Sequence, residues 1–165
     1  MFEVEQKFRL SESQSVKLLD GAEFVWKKTF TDVYYDTVEF ALTKNDIWLR
    51  KRGEIFELKL PMRDAGNSLT QQYQEIEGEE KIREIFAIPA LGDFEGDIAK
   101  FLYAPFCDCT TTRRKFKKDG FTIDIDSVDC GDFLYELAEI ELLVVEKAQM
   151  NEAARKIEKL MSSRI

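Results

Sequence analysis

Charged side chains recur two residues apart along this chain, often with the same sign. Glu3, Glu5 and Lys7 share one parity, and Phe2, Val4 and Phe8 take the other. Arg50 and Arg52 go with Trp48, and Glu57 and Lys59 oppose Phe56, Leu58 and Leu60. Glu75 and Glu77 go with Tyr73, and Arg113 goes with Lys115 and Lys117. Asp124 and Asp126 oppose Phe121, Ile123 and Ile125, while Glu139 and Glu141 oppose Ala138, Ile140 and Leu142. In an extended strand, residues i and i+2 lie on one face. For a single pair, a solvated outer face is the ordinary explanation. Repeated over seven strands, the pattern needs more, because like charges this close repel unless something between them compensates. A divalent cation would serve the acids and a polyanion would serve the bases. A sheet closed on itself would hold both sets in one lumen, with the apolar alternate face outward beneath the helices. The chemistry implied is phosphate chemistry assisted by a hard metal. Carboxylate oxygens suit Mg2+ or Mn2+, and Arg forks take phosphate oxygens in pairs. Such a metal polarises a phosphoryl oxygen and acidifies a bound water. No GxxxxGK[ST] run is present, so side chains, not a glycine-rich loop, would form the cradle.

Composition narrows the alternatives. The chain has no His, which removes Ser-His and Cys-His triads and imidazole acid–base chemistry. Lys and Arg number 24 against 32 Asp and Glu, and the net charge of -8 argues against a nucleic-acid or anionic-membrane partner. A hydrophobic share of 44% with 13 Phe supplies a core and rules out a disordered chain. At 165 residues, one domain over 1–165 is expected, as a monomer or weak dimer. Three cysteines, Cys107, Cys109 and Cys130, with no basic or long apolar N-terminal segment, suggest a reducing, cytoplasmic setting and no membrane span. The Cys107-x-Cys109 pair is a weak metal signal, and plain structural cysteines are the expectation.

The elements that must position these residues read as mostly antiparallel β with peripheral helices. Strands are expected over 2–9, 46–52, 55–60, 70–77, 110–118, 121–126 and 135–146, with one or two more in 23–35. Gly53-Glu54 and Asp119-Gly120 mark hairpins, the latter of type I′, and Gly66-Asn67-Ser68 marks a loop. Ser11 caps a helix over 12–20 that Gly21 ends. Residues 79–88 and 93–104 read as helices bounded by Pro89 and Pro105. The tail 148–163 puts Met150, Ala153, Ala154, Ile157, Leu160 and Met161 on one helical face.

Glu3-Val4-Glu5-Gln6-Lys7 resembles the ExExK signature of CYTH proteins, the triphosphate tunnel metalloenzymes. The segment Asp32-Val33-Tyr34-Tyr35-Asp36-Thr37 resembles that family's YYDT segment, and Trp48-Leu49-Arg50-Lys51-Arg52 its LRxR strand. Glu57-Leu58-Lys59, Tyr73-Gln74-Glu75, Ile123-Asp124-Ile125-Asp126 and Leu137–Leu142 resemble its later strands, in order. The resemblance spans nearly the whole chain and implies an eight-stranded antiparallel tunnel that binds a small-molecule triphosphate with Mg2+ or Mn2+. It implies metal ligation by Glu3, Glu5, Glu139 and Glu141, with Asp124 assisting. Triphosphate contacts would come from Lys7, Arg50, Arg52, Lys59 and Arg113. Arg113 is preferred over Arg114 because it aligns with the following Phe116 and shares a face with Lys115 and Lys117. Glu75 would orient a basic partner or a water. Lys59 is first a charge clamp and second an aid to the attacking water. Among the branches, the Trp in the WLRxR strand most resembles the thiamine-triphosphatases, with Trp48 offering a face to a cationic ring or serving as a rim aromatic. The activity implied is hydrolysis of the terminal phosphate of an organic triphosphate, thiamine triphosphate foremost. Inorganic or nucleoside triphosphate hydrolysis is the alternative, followed by adenylyl cyclase activity or non-catalytic polyphosphate binding.

Overall fold

A computed structural model describes residues 2–62 and 70–164. Eight strands form its frame: β1 (Phe2–Phe8), β2 (Glu23–Asp36), β3 (Trp48–Arg52), β4 (Ile55–Pro61), β5 (Gln71–Glu77), β6 (Ala104–Lys118), β7 (Phe121–Asp129) and β8 (Leu134–Val144). Four helices accompany them: α1 (Glu12–Leu19), α2 (Glu79–Phe86), α3 (Phe94–Lys100) and α4 (Met150–Arg164). The strands close into a barrel in the order β1-β5-β4-β3-β2-β6-β7-β8, and every neighbouring pair is antiparallel.

Local chemistry accounts for most boundaries. Ser11 and Gln14 make a reciprocal capping box at the start of α1, and Asp93 caps α3 by accepting from Gly96 N–H. Asp119 and Gly120 both hold positive φ, 50° and 85°, as the two-residue turn between β6 and β7 requires. One expectation is met in its simpler form and one is corrected. The 23–35 segment is one long strand, because β6 is long enough to pair with it from Glu23↔Lys117 to Asp36↔Ala104. The helix expected over 93–104 stops at Lys100: Leu102 takes φ 67°, and Pro105 sits near the start of a strand, where a missing N–H is tolerated. The loop expected at Gly66-Asn67-Ser68 lies outside the described residues.

The apolar parity faces outward, onto the helices. Val4, Ile123, Ile125, Ala138 and Ile140 pack against Met150, Ala153, Ala154, Ile157 and Leu160 of α4. On the other side, Tyr35, Leu49, Phe56, Leu58 and Ile76 pack with Ile82 of α2 and Phe94 and Ile98 of α3. Burying each large aliphatic stabilises the fold by about 1.5–3 kcal/mol. These two outer clusters, not the barrel interior, are the hydrophobic core.

Candidate active site

The charged parity faces a cavity of about 520 Å³ enclosed by the barrel strands. Its wall includes Glu3, Glu5, Lys7, Trp48, Arg50, Arg52, Lys59, Glu75, Arg113, Glu139 and Glu141, all singled out in the sequence. Asp124 is buried beside it and pairs with Arg113 at 2.5 Å and Lys115 at 3.0 Å. Arg114 is exposed and points away, so Arg113 is the arginine of this strand that reaches the interior.

Strand register explains how so many charges coexist. Like-signed doublets along one strand need opposite charge between them. In the structure, the neighbouring strand supplies opposite charge at the same level. Arg52 makes a two-pronged pair with Asp32, at 2.7 and 2.6 Å, and the two residues are register partners. Arg50 Nε and Nη2 contact Glu57 at 2.6 and 2.5 Å, again directly across. Arg113 forks onto Asp126 at 2.8 and 2.6 Å and reaches Glu139 at 3.2 Å. These acids hold the guanidinium groups in fixed orientations within the cavity.

Lys59 sits where β1, β4 and β5 converge. Its ammonium contacts Glu3, lies 3.4 Å from Glu5 and 3.2 Å from Glu75. Burial works against its charge, but Glu5, Glu3, Glu139 and Glu75 together push its pKa up. The charged ammonium is therefore the favoured form. Lys7 contacts Glu5 and lies 3.6 Å from Glu139.

Burial and the neighbouring charges shift these acids in opposite directions. Burial pushes Glu3 up to about 9, with Lys59 opposing and Glu5 and Glu75 adding. Burial likewise pushes Glu5 up to about 7, helped by its hydrogen bond to Glu139 and that residue's charge. Glu139 is held well below the carboxylate range: burial opposes this, but the Glu5 hydrogen bond and the Lys7, Arg113 and Lys59 charges outweigh it. Burial lifts Asp124 to about 6 against the pull of Arg113 and Lys115.

Carboxylate oxygens of Glu3, Glu139 and Glu141, all buried, lie within 4.8 Å of one another. Glu5 and Asp124 flank them. Asp124 Oδ2 is held by Arg113 and Lys115, while its buried Oδ1 has no hydrogen-bond partner among the described residues. Hard oxygen donors crowded together and partly orphaned are the donor set a divalent Mg2+-type cation takes. The residues present therefore fit such an ion.

Several lining residues escaped the sequence reading as site residues. Asp46 accepts from Trp48 Nε1 at 2.8 Å and from the Tyr73 hydroxyl at 3.0 Å. Tyr34 sets its ring against Trp48 and Phe106, at 6.0 and 6.5 Å between centroids. Phe133 stacks on Tyr135 at 6.0 Å, and all of these line the cavity. Parity alone could have placed Tyr34 and Tyr135 inside, whereas Asp46 lies in a turn where parity does not operate. Tyr35 faces outward and donates to Glu95 at 2.5 Å. The cysteines depart from the expected reduced state: Cys109 and Cys130 form a disulfide, with Cys107 Sγ 3.4 Å from Cys109 Sγ. The pairing follows from register, since Thr110 lies opposite Asp129 and the next residues meet.

Comparison with known proteins gives a concordant result. A sequence profile for the CYTH domain matches residues 1–164. Thiamine-triphosphatase of Homo sapiens is 30% identical over 181 positions, covering 98% of this chain and 76% of the relative. Thiamine-triphosphatase of Macaca fascicularis is 32% identical over 178 positions, with the same 98% and 76% coverage. A solved structure of a Pyrococcus horikoshii protein superposes with a TM-score of 0.65 at 26% identity, covering 98% of this chain and 89% of that one. Among the described residues, no helix is long and apolar enough to cross a membrane.

Proposed function

The chain belongs to the CYTH family, and from that premise we propose that it hydrolyses the terminal phosphate of thiamine triphosphate, yielding thiamine diphosphate and phosphate, with Mg2+ as cofactor and Mn2+ as a substitute. One observation carries the reading: a cavity within the barrel whose wall presents five cationic side chains among ten acidic ones. A triphosphate cannot enter so acidic a lumen on the strength of the basic groups alone. It needs a divalent cation to offset the remaining carboxylates, and Glu3, Glu139 and Glu141 are gathered where they would hold one. Such an ion would polarise a phosphoryl oxygen and lower the pKa of a water.

The chain's own residues do the rest. Lys7, Arg50, Arg52, Lys59 and Arg113 converge on the cavity as phosphate donors. Arg50, Arg52 and Arg113 are aimed in advance by Glu57, Asp32 and Asp126, so little reorganisation is needed as charge moves onto the leaving oxygen. Lys59 acts as a charge clamp, since its neighbours keep it protonated. Glu75, 3.2 Å from Lys59 and about one-third exposed, orients that ammonium and is placed to steer the attacking water. Trp48, tied at its indole N–H and open to the cavity, offers its face to the thiazolium ring, a contact worth about 1–2 kcal/mol when desolvated. The relatives called thiamine-triphosphatases support this substrate over others.

The test is phosphate release from thiamine triphosphate, tripolyphosphate, ATP and GTP, each with Mg2+, with Mn2+ and with chelator. The expected outcome is metal-dependent release that is most efficient with thiamine triphosphate. Equal or better turnover of tripolyphosphate would overturn the substrate, and no release from any of the four would overturn the hydrolase.

A further inference from the structure

We propose that Asp46 is the specificity determinant of the cavity, selecting triphosphate esters whose organic part carries a permanent positive charge. The inference rests on the triphosphatase reading and extends it to a residue that touches neither the phosphate donors nor the metal-type cluster. Asp46 ends a short 3-10 turn over Thr43–Asn45 in the left-handed region, at φ 60° and ψ 28°, with its N–H bonded to Thr43 C=O at 3.0 Å. This backbone turns its side chain toward the cavity, which it lines. Its carboxylate accepts two hydrogen bonds from aromatic donors. Trp48 Nε1 lies 2.8 Å from Oδ1, and the Tyr73 hydroxyl lies 3.0 and 3.1 Å from the two oxygens.

The second observation is what Asp46 lacks. Asp32, Glu57 and Asp126 along the same wall each sit on an arginine. Among the described residues, no Lys or Arg forms an ion pair with Asp46, and its only side-chain partners are neutral N–H and O–H groups. Among the described residues, no basic group balances this carboxylate beside the indole. An indole fixed at its N–H by Asp46 and against the ring of Tyr34 is a preset platform for a flat cation. The carboxylate reinforces that platform electrostatically and disfavours an additional phosphate there. A neutral nucleobase would gain the stacking without the charge, and tripolyphosphate would gain neither.

The experiment compares Asp46→Asn with the unaltered protein. Asn keeps a carbonyl acceptor for Trp48 and tolerates a left-handed backbone, but removes the charge. KM for thiamine triphosphate divided by KM for tripolyphosphate is expected to rise on the order of tenfold. An unchanged ratio, including one in which both KM values rise together, would reduce Asp46 to a structural residue and overturn the proposal. Thiamine diphosphate binding, read by quenching of Trp48 fluorescence in a Trp26→Phe background, keeps the test independent of turnover. Weaker quenching in Asp46→Asn supports the proposal even if tripolyphosphate proves the better substrate. Equal quenching overturns it even if thiamine triphosphate is hydrolysed.

Discussion

Glu5 and Asp36 illustrate two uses of a buried carboxylate. Glu5 is fully buried among Lys7, Lys59 and Glu139 and is pushed up to about 7, so its burial costs stability. Glu5→Gln is expected to lower kcat at least a hundredfold and weaken the Mg2+ dependence, while the metal-free melting temperature holds or rises because a crowded acid has been neutralised. Steady-state assays with a Mg2+ titration, alongside thermal melts in chelator, check both halves; a melting temperature lowered by several degrees would make Glu5 structural. Asp36 clips a turn instead. Its oxygens accept from Thr37 N–H, Leu42 N–H, Thr43 N–H and the Thr43 hydroxyl, at 2.7 to 2.9 Å. Burial raises its pKa, but these donors outweigh burial and leave it lowered from 3.8. A depressed carboxylate stabilises the fold above its unfolded pKa and loses that stabilisation as pH falls through the folded value. Asp36→Asn should therefore cost about 1–3 kcal/mol at neutral pH, with the gap to the unaltered protein closing as acid melts drop below pH 3.8. That the charges of each doublet share one face was legible from parity, and their repetition over several strands pointed that face inward. The partners that neutralise them were not legible, because Asp32 meets Arg52 only once β2 and β3 take their register.

At the scale of elements, one parity of each strand builds the core and the other builds the cavity, and the helices decide which face is dry. α4 covers β1, β7 and β8 with Met150, Ala153, Ala154, Ile157 and Leu160. Ile157 is fully buried, and Ile157→Ala is expected to cost about 2–5 kcal/mol by denaturant unfolding. Because Ile123 and Ile140 alternate with the acids at 124, 139 and 141, the same change should also weaken Mg2+ binding, which calorimetry would register. The apolar stripe of α4 could be read before folding, since its 3.6-residue period is unbroken. The end of α3 could not. Pro105 signals a stop but not how far ahead of it the chain has already turned, and only the left-handed Leu102 fixes that point.

For the whole molecule, the acid excess of the sequence is concentrated rather than spread. A net charge of -8 becomes a cavity wall with twice as many carboxylates as cations. A ligand that binds only the folded state raises stability by an amount set by its concentration over its dissociation constant. Millimolar Mg2+ should therefore raise the melting temperature by several degrees, tripolyphosphate with Mg2+ should raise it further, and chelator should reverse both. A melting temperature insensitive to Mg2+ would mean that Glu3, Glu139 and Glu141 do not gather around an ion. The inverted barrel, greasy outside and wet within, has a further consequence for anyone wishing to rebuild it. Because cohesion resides in the two external clusters, the lumen can be rewritten with the framework left standing, provided that each cation is exchanged together with the acid across from it. The strands amount to a reusable socket, in which exchanging the inward alphabet would retune which polyanion is seated.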